Sequence, residues 1–451
     1  ADGWSRVSSL VWFRRDLRLA DNPAWAAATS DHDAVEALFV LDDRLLEAAS
    51  SLRRNLLFAH LGALSDELVQ RGGALRVETG HPETIVPVVA AEHDAVYWNR
   101  SYTPFSIRRD AAVTTATGPP VETFDGDVVH APESVLTGGE TPYRVFTPYY
   151  RTWSERPIAP ASHGGTASIL GHSESEMPAF ASPVMTAGEV GAHARLERFL
   201  ERVDRYEEDR NRPDLDRTSH LSADLKFGTI SARSVVERVG RSTGGRRAFI
   251  RQVAWRDFYT QVLFHSPRTV DHAYREEFDS IVWADDDAAA EAWRNGRTGF
   301  PIVDAGMRQL QREGWMHGRI RMITASFLVK DLGIDWRFGE RHFRHHLIDA
   351  DPAQNVGNWQ WTAGTGVDAA PYFRIMNPVA QSRRFDPGGA YIRRYVPELA
   401  ALDDATIHAP WERPLEVAAA GVVLGADYPS PIVDHAEARE ITLRRFTTAK
   451  A

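Results

Sequence analysis

The residues of this chain best suited to chemistry lie between Trp315 and Arg374. Three tryptophans there, Trp336, Trp359 and Trp361, stand among Arg321, Asp349, Asp351 and Asn355. Ionised groups in an apolar, aromatic setting are costly unless they pair with one another or with a ligand. An ordinary helical core has no use for them; a large, planar, partly charged cofactor would. His342 and His346 stand at i, i+4 and could share a metal ion in principle. No carboxylate motif lies between them and the chain has no cysteine, so no metal site is expected.

The same stretch contains WMHGRIRMITASFLVKDLGIDWRFGERHF, LIDADPAQN and WQWTAGTGVDAAPYFRIMNP. Upstream lie TGFPIVDAGMRQL (298–310), WRDFY (255–259), TSHLSADLKFG (218–228) and WFRRDLRLADNPAW (12–25). In this order, and over nearly the whole chain, these segments closely resemble the photolyase/cryptochrome family of blue-light flavoproteins.

The resemblance implies bound FAD. Tyr206, Thr218, Ser219, Leu221 and Ser222 match family positions that hold its diphosphate, and Arg321 and Asp349 match an ion pair beside the isoalloxazine ring. Asp351 matches a flavin hydrogen-bonding residue, although as a helix N-cap it also has a structural job. Asn355 matches the residue facing flavin N5; an uncharged amide there suits repair, where plant photoreceptors carry an acid. Trp283, Trp336 and Trp359 match an electron-transfer chain, with Trp359 nearest the flavin and Trp283 nearest solvent. Indole can lose an electron to an excited flavin, and a spaced series carries the hole away before recombination.

Trp255 and Trp361 match aromatics lining the cavity for a flipped-out pyrimidine dimer, with Met322 as a contact. For Met322 alone, core packing is the simpler account. Arg210, Arg319, Arg383, Arg384, Arg393 and Arg394 could clamp phosphates around a lesion. The implied activity is light-driven cleavage of cyclobutane pyrimidine dimers in UV-damaged DNA. Excited reduced flavin donates an electron to the dimer, the ring splits, and the electron returns.

Three positions depart from the family pattern. Gln252 stands where repair enzymes usually carry Glu, Gly318 where they carry Asn, and His220 where Arg is common. A Gln amide still donates to a thymine carbonyl but cannot act as an acid, and Gly318 offers only its backbone. Enzymes acting on (6-4) photoproducts need His where Gly318 and Met322 stand, so that substrate is not expected. A cryptochrome-type photoreceptor is the alternative, since altered pocket residues could reflect lost repair. Against it stand Asn355 and the short ending ITLRRFTTAKA, without a long signalling tail. A flavoprotein of dark redox chemistry would show a nicotinamide fingerprint, which is missing.

The elements that must position these residues follow from pattern. Runs at 8–13, 35–42, 74–79, 95–98 and 121–125 are short, apolar and β-branched or aromatic, and helical spacing separates them, clearest at 53–71. Alternating strands and helices predict a doubly wound parallel sheet over 6–130. No GxGxxG or GxxxxGK[ST] opens its helices. The resemblance makes this the antenna domain, holding a second chromophore of folate or deazaflavin type, with WNRSY (98–102) and Arg54 as candidate contacts. Residues 131–190 are rich in Pro, Gly, Ser and Ala and read as a connector, packed in part over the surface by TPYRVFTPYYRTW (141–153). From 191 to 451 helical periodicity dominates, as in LERFLERVDRYEEDRNR and HGRIRMITASFLVKDLG, and an all-α FAD-binding catalytic domain is expected. Asp351-Pro352 reads as an N-cap followed by Pro at the first helical position.

Composition sets the outer bounds. The 451 residues suffice for two or three domains, and a charged share of 25% is ordinary for a soluble protein. Without cysteine there are no disulfides and no thiol catalysis. No apolar run is long enough to span a membrane, and a monomer in the cytoplasm is expected. A net charge of -10 argues against DNA binding only if charge is spread evenly, because screening confines each charge to roughly 10 Å. All but three of the 52 basic side chains are arginine, which suits bidentate phosphate contacts, although a GC-rich genome would give the same bias.

Overall fold

The computed structural model of the protein describes residues 8–171 and 178–450. The chain divides into two compact units. One runs through Asp204 and takes in Ser219–Pro267; the other comprises Arg205–Thr218 and the chain from Arg268 onward.

The first unit is built on a parallel sheet. Strands β1 (Ser8–Phe13), β2 (Ala34–Leu41), β3 (Leu75–Thr79), β4 (Ala95–Asn99) and β5 (Val121–Phe124) stand in the order β3-β2-β1-β4-β5, every pairing parallel. These are the five runs read from the sequence, within a residue or so at each end. Helices on both faces of a parallel sheet bury its strands completely. All eight residues of β2 are accordingly buried, including Glu36, whose carboxylate takes Arg76 (3.2 Å) and faces His93 (2.9 Å).

A sixth strand, β6 (Ser168–Ile169), pairs with Ala34 and Val35 of β2. It lies in the stretch expected as a connector, as does the helix Phe146–Glu155. That helix packs on the 22-residue helix Gly244–His265. Asp257 of the longer helix accepts hydrogen bonds from Trp153 Nε1 (2.9 Å) and from the backbone N–H of Val129 (3.0 Å) and His130 (3.1 Å). Residues 172–177 of the expected connector lie outside the described residues.

Helix Gly188–Leu200, expected to open the helical domain at 191, instead packs with the α/β unit. The Gly188 N–H donates to His60 Nδ1 (3.0 Å) in the helix Ser51–Gln70. The periodic run that begins in this helix was expected to continue past Arg210, but it breaks. The carbonyls of Val203 and Asp204 face Gly245 so closely that a Cβ there would lie 2.3 Å from each, and the Asp204 carboxylate takes Thr243 and Arg246 (2.8 Å each).

Among its described residues the second unit holds helices and short 3-10 turns but no strand. One apolar cluster includes Met307, Leu310, Ile320, Phe327, Trp336, Phe343, Trp359 and Tyr391, with Trp283 packed against it. The long periodic run expected over HGRIRMITASFLVKDLG is an α-helix only over Gly318–Ser326, and then widens into a π-helical turn, Phe327–Asp331. Such a turn adds a residue per bond and re-aims the side chains after it, a form common at functional sites. Here it buries Lys330.

Candidate active site

The second unit's share of the predicted site centres on the helix Pro352–Ala363. Asp351 caps it, accepting from the Gln354 N–H (3.1 Å), with Pro352 at the first helical position. Asp351, Asn355 and Trp359 follow at intervals of four residues and therefore share one face. That face meets the helix Trp336–His346. Asn355 Nδ2 donates to the Glu340 backbone carbonyl and to Glu340 Oε1, both at 2.9 Å. With Nδ2 committed, the polar atom the amide has left to offer is the acceptor Oδ1. Burial raises the Glu340 carboxyl pKa, while Arg344 and the Asn355 amide oppose the shift.

Trp359 packs closely against this same helix because residue 339 is glycine. A Cβ there would come within 2.1 Å of the indole. Phe343 (5.0 Å) and Trp293 (6.2 Å) close on the ring edge-on. Trp336 and Trp359 are 1% and 2% exposed, and Trp283 is half-buried. Trp361, two residues beyond Trp359, is also half-buried.

Arg321 and Asp349 form an ion pair, Nη2 to Oδ2, at 2.8 Å, and Arg321 Nε donates to the Met316 carbonyl. The other carboxylate oxygen, Asp349 Oδ1, is buried without a hydrogen-bond partner. Buried polar atoms are normally satisfied, and one left over beside an arginine calls for a ligand with a donor to spare. A flavin ring system, with N–H groups and carbonyls in one plane, meets that demand, so these residues fit FAD. Tyr206 is half-buried and its hydroxyl pKa is raised to about 12 by desolvation, against the pull of Arg210.

The predicted arginines separate into two kinds. Arg319 is half-buried, its Cζ 4.4 Å from the Phe385 ring centroid, and its Nε and Nη2 both donate to Asn211 Oδ1. Its pKa is lowered to about 10, first by burial and then by Arg210, Arg384 and Arg374. That group of four cations would gain from a phosphate. Arg383 is instead already paired with Glu412 (2.9 Å), and Arg393 with Asp404 (2.9 Å) and three backbone carbonyls. Arg394 lies over Tyr395, its Cζ 5.8 Å from the ring centroid. Met322 is half-buried, and Gly318 is exposed with open space around a Cβ position.

The first unit carries the remaining predicted residues. Ser219 Oγ accepts from the Leu221 N–H (3.3 Å), and His220 between them takes a left-handed backbone (φ 54°), turning the chain into the helix Ser222–Phe227. Thr218, which ends a segment of the second unit, is half-buried. Gln252 and Trp255 are half-buried one turn apart on Gly244–His265. Trp255 stacks on Phe146, with centroids 3.8 Å apart and planes at 10°. Of the candidate antenna contacts, Arg54 donates to the Leu46 carbonyl (3.3 Å), Asn99 to Asp16 and Asn22, and Arg100 and Tyr102 both to Asp125.

Two family models match the chain: one described as DNA photolyase over residues 9–164, the other as FAD binding domain of DNA photolyase over residues 249–448. The chain belongs to the DNA photolyase family. A deoxyribodipyrimidine photo-lyase of Agrobacterium fabrum is 40% identical over 469 residues, covering 98% of each chain. The crystal structure of a class III photolyase from Agrobacterium tumefaciens superposes with a TM-score of 0.92 at 38% identity, covering 100% of this chain and 99% of that one. A cryptochrome from Synechocystis gives a TM-score of 0.89 at 31% identity, covering 97% and 98%.

Several residues around the family's site are not evident from local sequence. Gln360, between Trp359 and Trp361, is buried and fully engaged. Its Nε2 donates to the Thr269 and His272 carbonyls (2.9 Å each), and its Oε1 accepts from the Tyr274 N–H (2.8 Å). Lys330, 1% exposed, donates to the Ala363 carbonyl (2.6 Å) and lies 3.7 Å from the Phe446 ring centroid. Its pKa is lowered to about 7 by burial alone. Phe373, 60% exposed, adjoins Arg374 of the arginine group. Among the described residues no cluster of three or more potential metal ligands occurs, and no helix is long and apolar enough to cross a membrane.

Proposed function

We propose that this chain is a deoxyribodipyrimidine photo-lyase that uses FAD and blue light to split cyclobutane pyrimidine dimers in DNA. The observation that carries the reading is the single helix face bearing Asp351, Asn355 and Trp359, in a chain alike along its whole length to photo-lyases. One face thus offers polar groups to a cofactor and an indole one turn away.

When bound and reduced, FAD supplies a light-driven electron to the dimer. The chain's own residues do the rest. Tyr206, Thr218, Ser219, Leu221 and Ser222 are assigned to the diphosphate; Arg321, Asp349, Asp351 and Asn355 are assigned to the ring. Trp359, Trp336 and Trp283 restore the reduced state by passing electrons inward from solvent. Gln252, Trp255, Met322 and Trp361 are assigned to the dimer, and Arg210, Arg319 and Arg384 to flanking phosphates. Extrusion of the damaged bases from the duplex is the mode by which photolyases reach them.

A second, light-harvesting group is assigned to the first unit, at the C-terminal ends of β1 and β4. Strand order reverses there, and such points bind ligands in open parallel sheets. The buried Nε1 atoms of Trp12 and Trp98 lack partners, and Arg14 and Arg109 share the Asp110 carboxylate, which supports that placement. The enzyme is assigned to the cytoplasm as a monomer.

The photoreceptor reading is favoured by the two altered pocket positions, Gln252 and Gly318, and by the Synechocystis cryptochrome likeness. Photoreduction of the purified protein with an external donor, followed by assay of dimer loss in a thymine-dimer oligonucleotide, separates the two. Repair supports the enzyme; photoreduction without repair supports the receptor.

A further inference from the structure

We propose that Arg337 is a positioning residue of the tryptophan chain, fastening the segment that leads into Trp283 to the first turn of the helix that begins at Trp336. The proposal rests on the electron-transfer reading of these tryptophans given above.

Trp283 needs such a fastening. Residues 281–286 form neither helix nor strand, and the neighbouring Val282 is 81% exposed. Trp283 packs against two apolar clusters, and the second, Ala273, Phe278, Ile281 and Phe446, draws three of its four residues from the same segment, so the indole is only as fixed as that segment. Transfer between two indoles falls off steeply with their separation, so a terminal indole free to drift would pass electrons unevenly.

The guanidinium of Arg337 spends its donors on that segment. Nε donates to the Asp271 carbonyl (2.5 Å) and Nη2 to Asp279 Oδ1 (2.7 Å). Nη1 reaches both oxygens of Asp335 (3.3 and 3.2 Å), the residue that caps the Trp336 helix. Its Cζ lies 4.9 Å from the Trp336 ring centroid. Asp279 acts as the hub: it also takes Arg268 Nη2 (2.9 Å) and the Ala273 N–H (2.8 Å), folding the segment onto itself.

Two further ties complete the frame. The Ala284 N–H donates to the Gly333 carbonyl (2.8 Å), fixing the chain just past Trp283 to the turn just before Trp336. Gln360 holds Thr269, His272 and Tyr274 against the helix that carries Trp359. The segment is thereby bound to both other tryptophan-bearing helices. Isolated surface ion pairs contribute little, but a guanidinium with several donors placed on fixed acceptors is a network of charge-assisted bonds.

The test uses the flavin-loaded protein with Arg337→Leu, the milder Arg337→Lys, and Asp279→Asn, which approaches the same contact from its other side. Deuterium exchange across residues 268–283 is expected to quicken by about tenfold, as loss of one charge-assisted bond implies. In transient absorption, quenching of excited flavin by Trp359 keeps its rate, whereas the step between Trp336 and Trp283 slows. The photoreduction yield drops by about threefold or more, the usual direction for a misplaced reacting group. Dimer repair by chemically reduced protein stays unchanged, which a merely architectural role would not predict.

Wild-type exchange across 268–283 overturns the proposal. So does faster exchange with an unaltered Trp336–Trp283 step, since the clamp would then serve architecture alone. Should Arg337→Leu fail to fold, the other two variants decide by the same readings. Trp336→Phe is the control for the underlying reading. If it leaves photoreduction intact, the tryptophan chain itself is wrong, whatever Arg337 does.

Discussion

Asn355 directs its amide nitrogen at two oxygens of one residue, the backbone carbonyl and Oε1 of Glu340, each at 2.9 Å. Both acceptors sit on the neighbouring helix, so the amide cannot flip without breaking both bonds. Glu340→Leu removes one of them and leaves the other. The expected outcome is a retained fold, a loss of about 1 kcal/mol in stability, and less complete photoreduction, because the Asn355 acceptor is no longer held toward the cofactor. Thermal melts and light-driven bleaching of the flavin spectrum check both parts.

Lys330 gives the protein a marked pH dependence on the alkaline side. Its folded pKa of about 7 lies well below that of an unfolded lysine. Between these values the unfolded chain binds the extra proton, so stability rises with pH across that window. Below about pH 7 the amine is charged in both states and its burial cost is fully present. Lys330→Met should flatten the rise between pH 7 and 10 and raise stability at pH 6 by a few kcal/mol at most, if the methionine fills the same space. Denaturation with urea at pH 6, 8 and 10 measures it; parallel wild-type and variant curves would contradict the assignment.

The parallel sheet was legible because buried strands carry a continuous apolar signal, and the Asp351-Pro352 start was legible because capping is a local code. Strand β6 was not, since two residues at Ser168–Ile169 show no periodicity and are held by pairing with β2, far back in the chain. The helical signal from 191 onward is plain in the sequence, but the attachment of helix Gly188–Leu200 to the α/β unit rests on partners as distant as His60, 128 residues away. Gln360 looks like an ordinary helix residue, because its partners lie 86 to 91 residues earlier. The arginines of the helix Pro378–Phe385 are alike in sequence, and only the position of Glu412 separates Arg383 from Arg384.

That separation changes what each arginine should do on DNA. Arg319→Ala and Arg384→Ala should weaken binding to damaged and undamaged duplex alike, each lowering the salt slope by about one. Arg383→Ala should do less, because its charge is already offset by Glu412. Fluorescence anisotropy across a salt series ranks the three, and an Arg383 effect equal to that of Arg319 would refute the division.

On the proposed assignment to the dimer pocket, Gln252 and Gly318 give the dimer fewer side-chain donors than the family pattern would. Each such bond is worth about 0.5–1.5 kcal/mol net, and more once charge develops on the partner. Gly318→Asn meets open space around its Cβ, so steric cost does not obscure the outcome. Gln252→Glu and Gly318→Asn should raise repair per photon more than they raise affinity, the double variant most. An unchanged quantum yield in active enzyme would mean that another group, Arg319 being the nearest in sequence, already serves.

The most direct measurement is repair itself. Protein reduced chemically in the dark is mixed with an oligonucleotide carrying one thymine dimer and exposed to blue light, with a dark control. Light-dependent return of the intact thymines, undiminished in Trp283→Phe and lost in Trp361→Ala through failed lesion binding, is the predicted result. A dimer that survives illumination while FAD is bound and reduced would contradict the account and leave the photoreceptor reading in its place.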